Sequence, residues 1–222
     1  MNKKDFSIDN ALRFGWETFR NNIGLFIIIG IFNLVISYTP DLIDWVLESY
    51  GAQAPVLSTV IGIFYVIIEL GIALGYTKIA LIFCDGEQAK IADLFSCFHL
   101  LPRYLITLII ILIPVLVGLA LFIIPGLYLI VRFLWFVYFI IDFDEGIIVS
   151  IKKSWRFSEG IVLKLFLFGI ILFAINLLGF LLFLVGSIVT TAITTVAGAY
   201  VYRELLPQMD DNRESLTFNT TA

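Results

Sequence analysis

YLITLIIILIPVLVGLALFIIPGLYLIVRFLWFVYFIID (104–142) carries a single charged residue, Arg132, before its final aspartate. The hydrocarbon core of a bilayer is about 30 Å thick, and a helix rising about 1.5 Å per residue needs about 20 apolar residues to cross it. This stretch is long enough for two crossings, and Pro125-Gly126 stands where a chain would reverse. We therefore expect spans over 104–124 and 127–142, joined as a tight hairpin. A re-entrant pair or one broken helix is the competing arrangement. A transmembrane β-barrel would read instead as short alternating segments, which are absent.

Outward from this stretch the same composition recurs. The chain has 222 residues, 60% hydrophobic and 14% charged, with a mean hydropathy of +1.02. Soluble domains are about 45–50% apolar and about 25% charged. Further apolar runs at 22–38, 56–83, 161–179 and 187–203 bring the expected total to six spans. The start, 1–22, is polar and amphipathic, so the first span is expected to be retained rather than cleaved as a signal. The link 39–55 holds Asp41, Asp44 and Glu48 but no Lys or Arg, and the other two short links are uncharged. Lys3, Lys4, Arg13, Arg20, Lys90, Arg103, Lys152, Lys153, Arg156 and Arg213 fall on the opposite side, with Lys78, Lys164 and Arg203 within snorkelling reach. The positive-inside rule then orients both termini to the cytoplasm. The net charge of −4 argues against a nucleic acid partner.

The segments that precede the spans repeat one another. In FSIDNALRFGWETFRNN (6–22), Ile8, Leu12 and Trp16 recur every four residues with polar residues between them, which predicts an amphipathic helix. In EQAKIADLFSCF (87–98), Ile91 and Phe95 keep this spacing, with Leu94 and Phe98 widening the face. In GIIVSIKKSWRF (146–157), Ile147, Ile151 and Trp155 do the same. Each is followed by two spans, and acidic-glycine turns at Gly86 and Gly146 open the later units while Ser7 offers a helix N-cap to the first. The expected fold is an all-α bundle of three units over 7–85, 86–144 and 145–206, each an inner amphipathic helix plus a transmembrane hairpin. The polar tail 207–222 is expected to be disordered. Trp16, Phe95 and Trp155 are the expected interfacial anchors, with membrane lipids as partners. A docking surface for a cytoplasmic protein is the sharper reading.

Two charges, Glu69 and Arg132, lie deep within the apolar runs, away from their ends. Glu69 sits mid-span, where an ionised carboxylate costs about 2.5–3.5 kcal/mol on insertion scales and requires a partner or a proton. Arg132 is the candidate partner; alternatives are a proton or ion relay at Glu69 and a lipid phosphate bound by Arg132. Asn33 and Asn176 are placed to hydrogen-bond across helices, and Pro114 to kink the third span. Gly71 and Gly75 form a GxxxG, and Ser187, Thr191, Thr195 and Ala199 form a small-residue face, both suited to close helix contact.

Chemistry is sparse. His99 is the only histidine, and Cys84 and Cys97 form no CxxC or Cys/His pattern, so no metal site or cofactor is expected. GxSxG, Walker A, GxGxxG and HExxH are absent, and no catalytic residue is assigned. The sequon at Asn219 falls on the expected inner side, out of reach of glycosylation.

The Trp-containing helix, the turn at 85–87, IIPGLYLIVRF (123–133), the aspartate seven residues before IKKSW (151–155) and AYVYREL (199–205) together resemble a mostly uncharacterised group of prokaryotic six-helix membrane proteins. It is similar to the YciC-like proteins and to the membrane domain fused to some glycerophosphodiester phosphodiesterases. The resemblance covers 6–206 and implies a helical bundle in a prokaryotic plasma membrane. It carries over no catalytic residue, and the phosphodiesterase domain is absent. The expected function is a non-enzymatic scaffold, adaptor or regulator; the competing one is a transporter or channel using Glu69 and Arg132.

Overall fold

The computed structural model describes residues 4–49 and 55–220, with no side-chain description at 184 or 210–220. Among the described residues there is no strand, and six helical stretches are long and apolar enough to cross a membrane: Ile23–Ser49, Pro55–Cys84, Ile91–Leu121, Ile123–Phe143, Val162–Leu181 and Val185–Met209. In chain order the helices are α1 (Ile8–Asn21), α2 (Ile23–Ser49), α3 (Pro55–Cys84), α4 (Leu101–Leu121), α5 (Ile123–Phe133), α6 (Phe136–Phe143), α7 (Ile147–Phe157), α8 (Val162–Leu181) and α9 (Phe183–Thr220).

Three pairs run antiparallel. Phe26 meets Phe83 and Ser37 meets Glu69 across α2 and α3; Gly118 abuts Gly126 across α4 and α5; Asn176 bonds Thr194 across α8 and α9. The joins between α4 and α5 and between α8 and α9 lie at one end of the bundle, and the polar connecting segments gather at the other. α9 packs against α1, α2, α3, α7 and α8, and its Ala192, Val196, Ala197, Ala199 and Val201 are fully buried. Burying side chains this small lets five helices crowd one axis, because contact distance between helices is set by the residues at the crossing.

The amphipathic segments dock through small residues that lie beside their apolar stripes. α1 begins at Ser7, whose hydroxyl accepts from the Asn10 amide, and it buries Ala11, Gly15, Thr18 and Phe19. A Cβ on Gly15 would stand 2.5 Å from the Ile193 carbonyl oxygen, so only glycine admits this crossing with α9. Trp16, at the end of the stripe, is left outside. α7 likewise buries Ser150, Ser154 and Phe157 and leaves Ile148 and Val149 exposed. In both, small residues allow the closest approach, while Ile8, Leu12 and Ile151 of the bulky stripes pack at the edge of the core and the terminal Trp16 and Trp155 are the exposed ends.

The segment 87–98 is not an amphipathic α-helix, which corrects the expectation of three alike. It is extended to Lys90 and then forms two 3-10 turns, Ile91–Phe95 and Phe98–Leu100. The Asp93 carboxylate takes the Lys90 amide at 2.7 Å and Ser96 Oγ donates to the Asp93 carbonyl at 2.7 Å, so polar side chains compete with the helical ladder. The GxxxG of α3 receives this segment rather than another helix: a Cβ on Gly75 would collide with the Leu94 carbonyl, and one on Gly71 with the Phe98 ring.

Two boundaries also differ. The fourth span is broken at Leu134-Trp135, between α5 and α6, where Ser154 Oγ donates to the Arg132 carbonyl at 2.8 Å. A side chain entering the i to i−4 ladder is a recognised cause of such breaks. The backbone of α9 is helical through Thr220, past Pro207, where a disordered tail was expected over 207–222; Glu, Leu, Gln and Met after Arg203 are good helix formers. Residues 221–222 lie outside the described residues.

Candidate functional site

Glu69 and Arg132 do not meet. Glu69 Oε1 accepts from the Ser37 hydroxyl on α2, giving the carboxylate a local partner between α2 and α3. Arg132 is 8% exposed at the last turn of α5, and none of the ion pairs among the described residues includes it. Its Nε and Nη2 donate to the Tyr128 hydroxyl at 2.8 and 2.6 Å, and Nη1 donates to the Trp155 carbonyl at 2.9 Å. The guanidinium carbon stands 4.4 Å from the centre of the Trp155 ring, within cation–π range. The expected charge pair is thus replaced by a cation stacked on an aromatic ring and bonded to neutral oxygens.

Lys4 lies beside it. Its ammonium donates to the Arg156 carbonyl at 2.8 Å and to the Phe157 carbonyl at 3.3 Å. Three successive carbonyls at the end of α7 are therefore held by two cations, the arrangement favoured where a helix leaves its last acceptors unpaired at the negative end of its dipole. Burial pushes the Lys4 amine below the usual lysine range; Glu159 opposes this and the charge of Arg132 adds to it. Asp5 pairs with Lys164 at the start of α8, and Gln208 Nε2 donates to the Asp5 carbonyl at 2.9 Å. The N-terminal segment is thus a strap across α7, α8 and α9. A shallow surface groove follows it, lined by Asp5, Phe6, Ser7, Ile8, Lys164 and Glu204.

A second polar centre ties the same end together. Arg203 on α9 grips Asp142 of α6 through two bonds of 2.6 and 2.9 Å and reaches Asp85, after α3, at 2.7 Å. Tyr202 donates its hydroxyl to Asp142 at 3.2 Å and stacks on Tyr138, with ring centres 4.8 Å apart. Nearby, Arg103 at the start of α4 bonds the Asp144 carboxylate and the carbonyls of Asp144 and Glu145, and Lys153 pairs with Glu145. Sequence reading marked these aspartates only as turn residues, and placed Arg203 only as an inner-side charge.

Of the expected anchors, Trp16 is half-exposed beside Phe19, Phe95 is half-exposed and edge-on to Phe32, and Trp155 is 37% exposed with its ring over Arg132. Asn176 makes the expected cross-helix bond, donating to Thr194 Oγ1 at 3.1 Å; Asn33 makes none among the described residues. On α9, Ala199 is buried but Thr191 faces outward, and the close approach to α8 runs through Gly179, Gly186 and Thr190 instead. Among the described residues, no group of three His, Cys, Asp or Glu stands close enough to hold a metal ion. Compared with protein-family models, curated proteins and solved structures, the chain matches none at a significant level.

Proposed function

We propose that the chain is a multi-pass plasma-membrane protein of a prokaryote without catalytic chemistry, acting as a scaffold, adaptor or regulator through its cytoplasmic end. In this reading both termini are cytoplasmic, as the charge distribution suggests, the fold consists of three units of inner segment plus hairpin, and the resemblance to the YciC-like group supports a helical bundle in a prokaryotic plasma membrane. The observation that carries it is the polar end of the bundle. Lys4, Asp5, Arg103, Lys164 and Arg203 each bridge separate elements there, so that end is braced as one platform. Exposed Lys152 and Arg156, with Arg13 in an exposed pair with Glu17, offer the same end as a charged docking surface, next to the outward Trp16 and Trp155.

A transport path through Glu69 and Arg132 finds less support, because each is held by its own local partners and no contact joins them. The test is photo-crosslinking in cells from positions 13 and 152, with position 56 at the other end as the control. A discrete protein adduct from 13 and 152 and none from 56 is the expected result. An ion-dependent flux in proteoliposomes, abolished by Glu69→Gln in a normally stable protein, would sink the scaffold reading.

A further inference from the structure

We propose that Arg132 and Tyr128 form a binding site for the phosphate oxyanion of an anionic phospholipid, opening on the flank where α5 meets α7. The inference deepens the membrane reading above and rests on it. Arg132 is a buried cation with no carboxylate partner among the described residues, and charges removed from water are ordinarily paired. A guanidinium has five N–H donors in a planar fork matched to phosphate. Here three contacts serve it, two to Tyr128 and one to Trp155, leaving donors in hand. The Tyr128 hydroxyl accepts two of these bonds, so its own proton is turned elsewhere, and no acceptor for it occurs among the described residues.

The approach to this pair is lined for a lipid. Tyr128 is 40% and Trp155 37% exposed, and their rings stand edge to face 6.2 Å apart beside the guanidinium. Ile124, one turn before Tyr128, and Leu134 are strongly exposed and apolar, giving acyl chains a surface beside the headgroup. The charge of Arg132 is felt at Lys4, so a headgroup carrying its own ammonium or choline would meet like charge. A lipid of net negative charge, with its phosphate on Arg132 and the Tyr128 proton, satisfies both the donors and the field.

Binding of dioleoylphosphatidylglycerol and dioleoylphosphatidylcholine to the full chain in detergent, read by native mass spectrometry and thermal shift, tests the site. Phosphatidylglycerol is expected to bind more tightly and to raise the melting temperature, while inorganic phosphate leaves it unmoved. Tyr128→Phe keeps the ring but removes the acceptor of two Arg132 N–H bonds, so the lipid-free melting temperature should fall, and phosphatidylglycerol affinity, measured on the folded protein, should fall about tenfold, the scale of one charge-assisted hydrogen bond. Arg13→Gln, which removes an exposed cation elsewhere, should leave affinity unchanged. Equal affinity for the two lipids, native affinity in both Tyr128→Phe and Arg132→Lys, or a full shift with inorganic phosphate alone would overturn the proposal. Lost lipid selectivity with intact crosslinking from positions 13 and 152 would leave the scaffold reading standing.

Discussion

Replacing Arg203 by methionine should destabilise the bundle by about 3 kcal/mol. The Asp142 side chain is only 11% exposed and loses two charged hydrogen bonds, keeping the Tyr202 hydroxyl alone. Removing one partner of a buried pair costs about 3–5 kcal/mol, and the quarter exposure of Arg203 brings the estimate to the lower end. Asp85 is 43% exposed and adds about 0.5 kcal/mol, as surface pairs do. Asp85→Asn should therefore cost far less than Asp142→Asn, although both contact the same arginine. The double variant Arg203→Met with Asp142→Leu should recover at least about 1.5 kcal/mol over the sum of the singles, since apolar replacement of a whole buried pair is close to neutral. Reversible unfolding by SDS in mixed micelles measures all five proteins. A cost below about 1 kcal/mol for Arg203→Met, or coupling below about 0.5 kcal/mol, would refute the view that this centre holds three helices together.

Two glycines of α3 should behave oppositely. Gly75→Ala drives a methyl into the Leu94 carbonyl and should cost about 2–3 kcal/mol, whereas Gly62→Ala meets open space and should be neutral or stabilising by up to about 1 kcal/mol, both read by the same unfolding assay. Lys4 supplies a pH signature: its native pKa lies below that of the unfolded chain, so between the two the unfolded form binds more protons and stability rises with pH. That alkaline slope should flatten in Lys4→Met, as followed by melting temperature across pH 8–11. For topology, cysteine introduced at Glu48 should react with a membrane-impermeant maleimide in intact cells and cysteine at Gln88 only after lysis; the reverse pattern would overturn the assigned orientation.

Six membrane-length helices were legible in the sequence because length and hydropathy alone set them, but the reversal between the third and fourth falls at Phe122, with Pro125-Gly126 in the first turn of α5 rather than in the link. The docking faces were not. Periodicity highlights large apolar side chains, so it drew attention to Ile8, Leu12 and Trp16 and to Ile147, Ile151 and Trp155, whereas close packing rests on Ala11, Gly15, Ser150 and Ser154. The break before α6 depends on a hydroxyl from 22 residues downstream, a contact that no local pattern encodes. Arg132 was assigned to Glu69 by elimination, because apolar runs advertise charges but not aromatic rings or free carbonyls. A signal was nonetheless present: small residues at positions 11 and 15 and at 150 and 154 follow the same four-residue spacing as the bulky stripe.

Arg203 also bears on the order in which the molecule is completed. Asp85 and Asp142 follow α3 and lie near the end of α6, but the guanidinium that answers both belongs to α9, which is synthesised after both. Until it arrives, two acids wait beside the bundle without their counter-charge, and a chain truncated before α9 keeps them so. A single positive charge on α9 thus closes a centre whose two acids were laid down earlier in the chain.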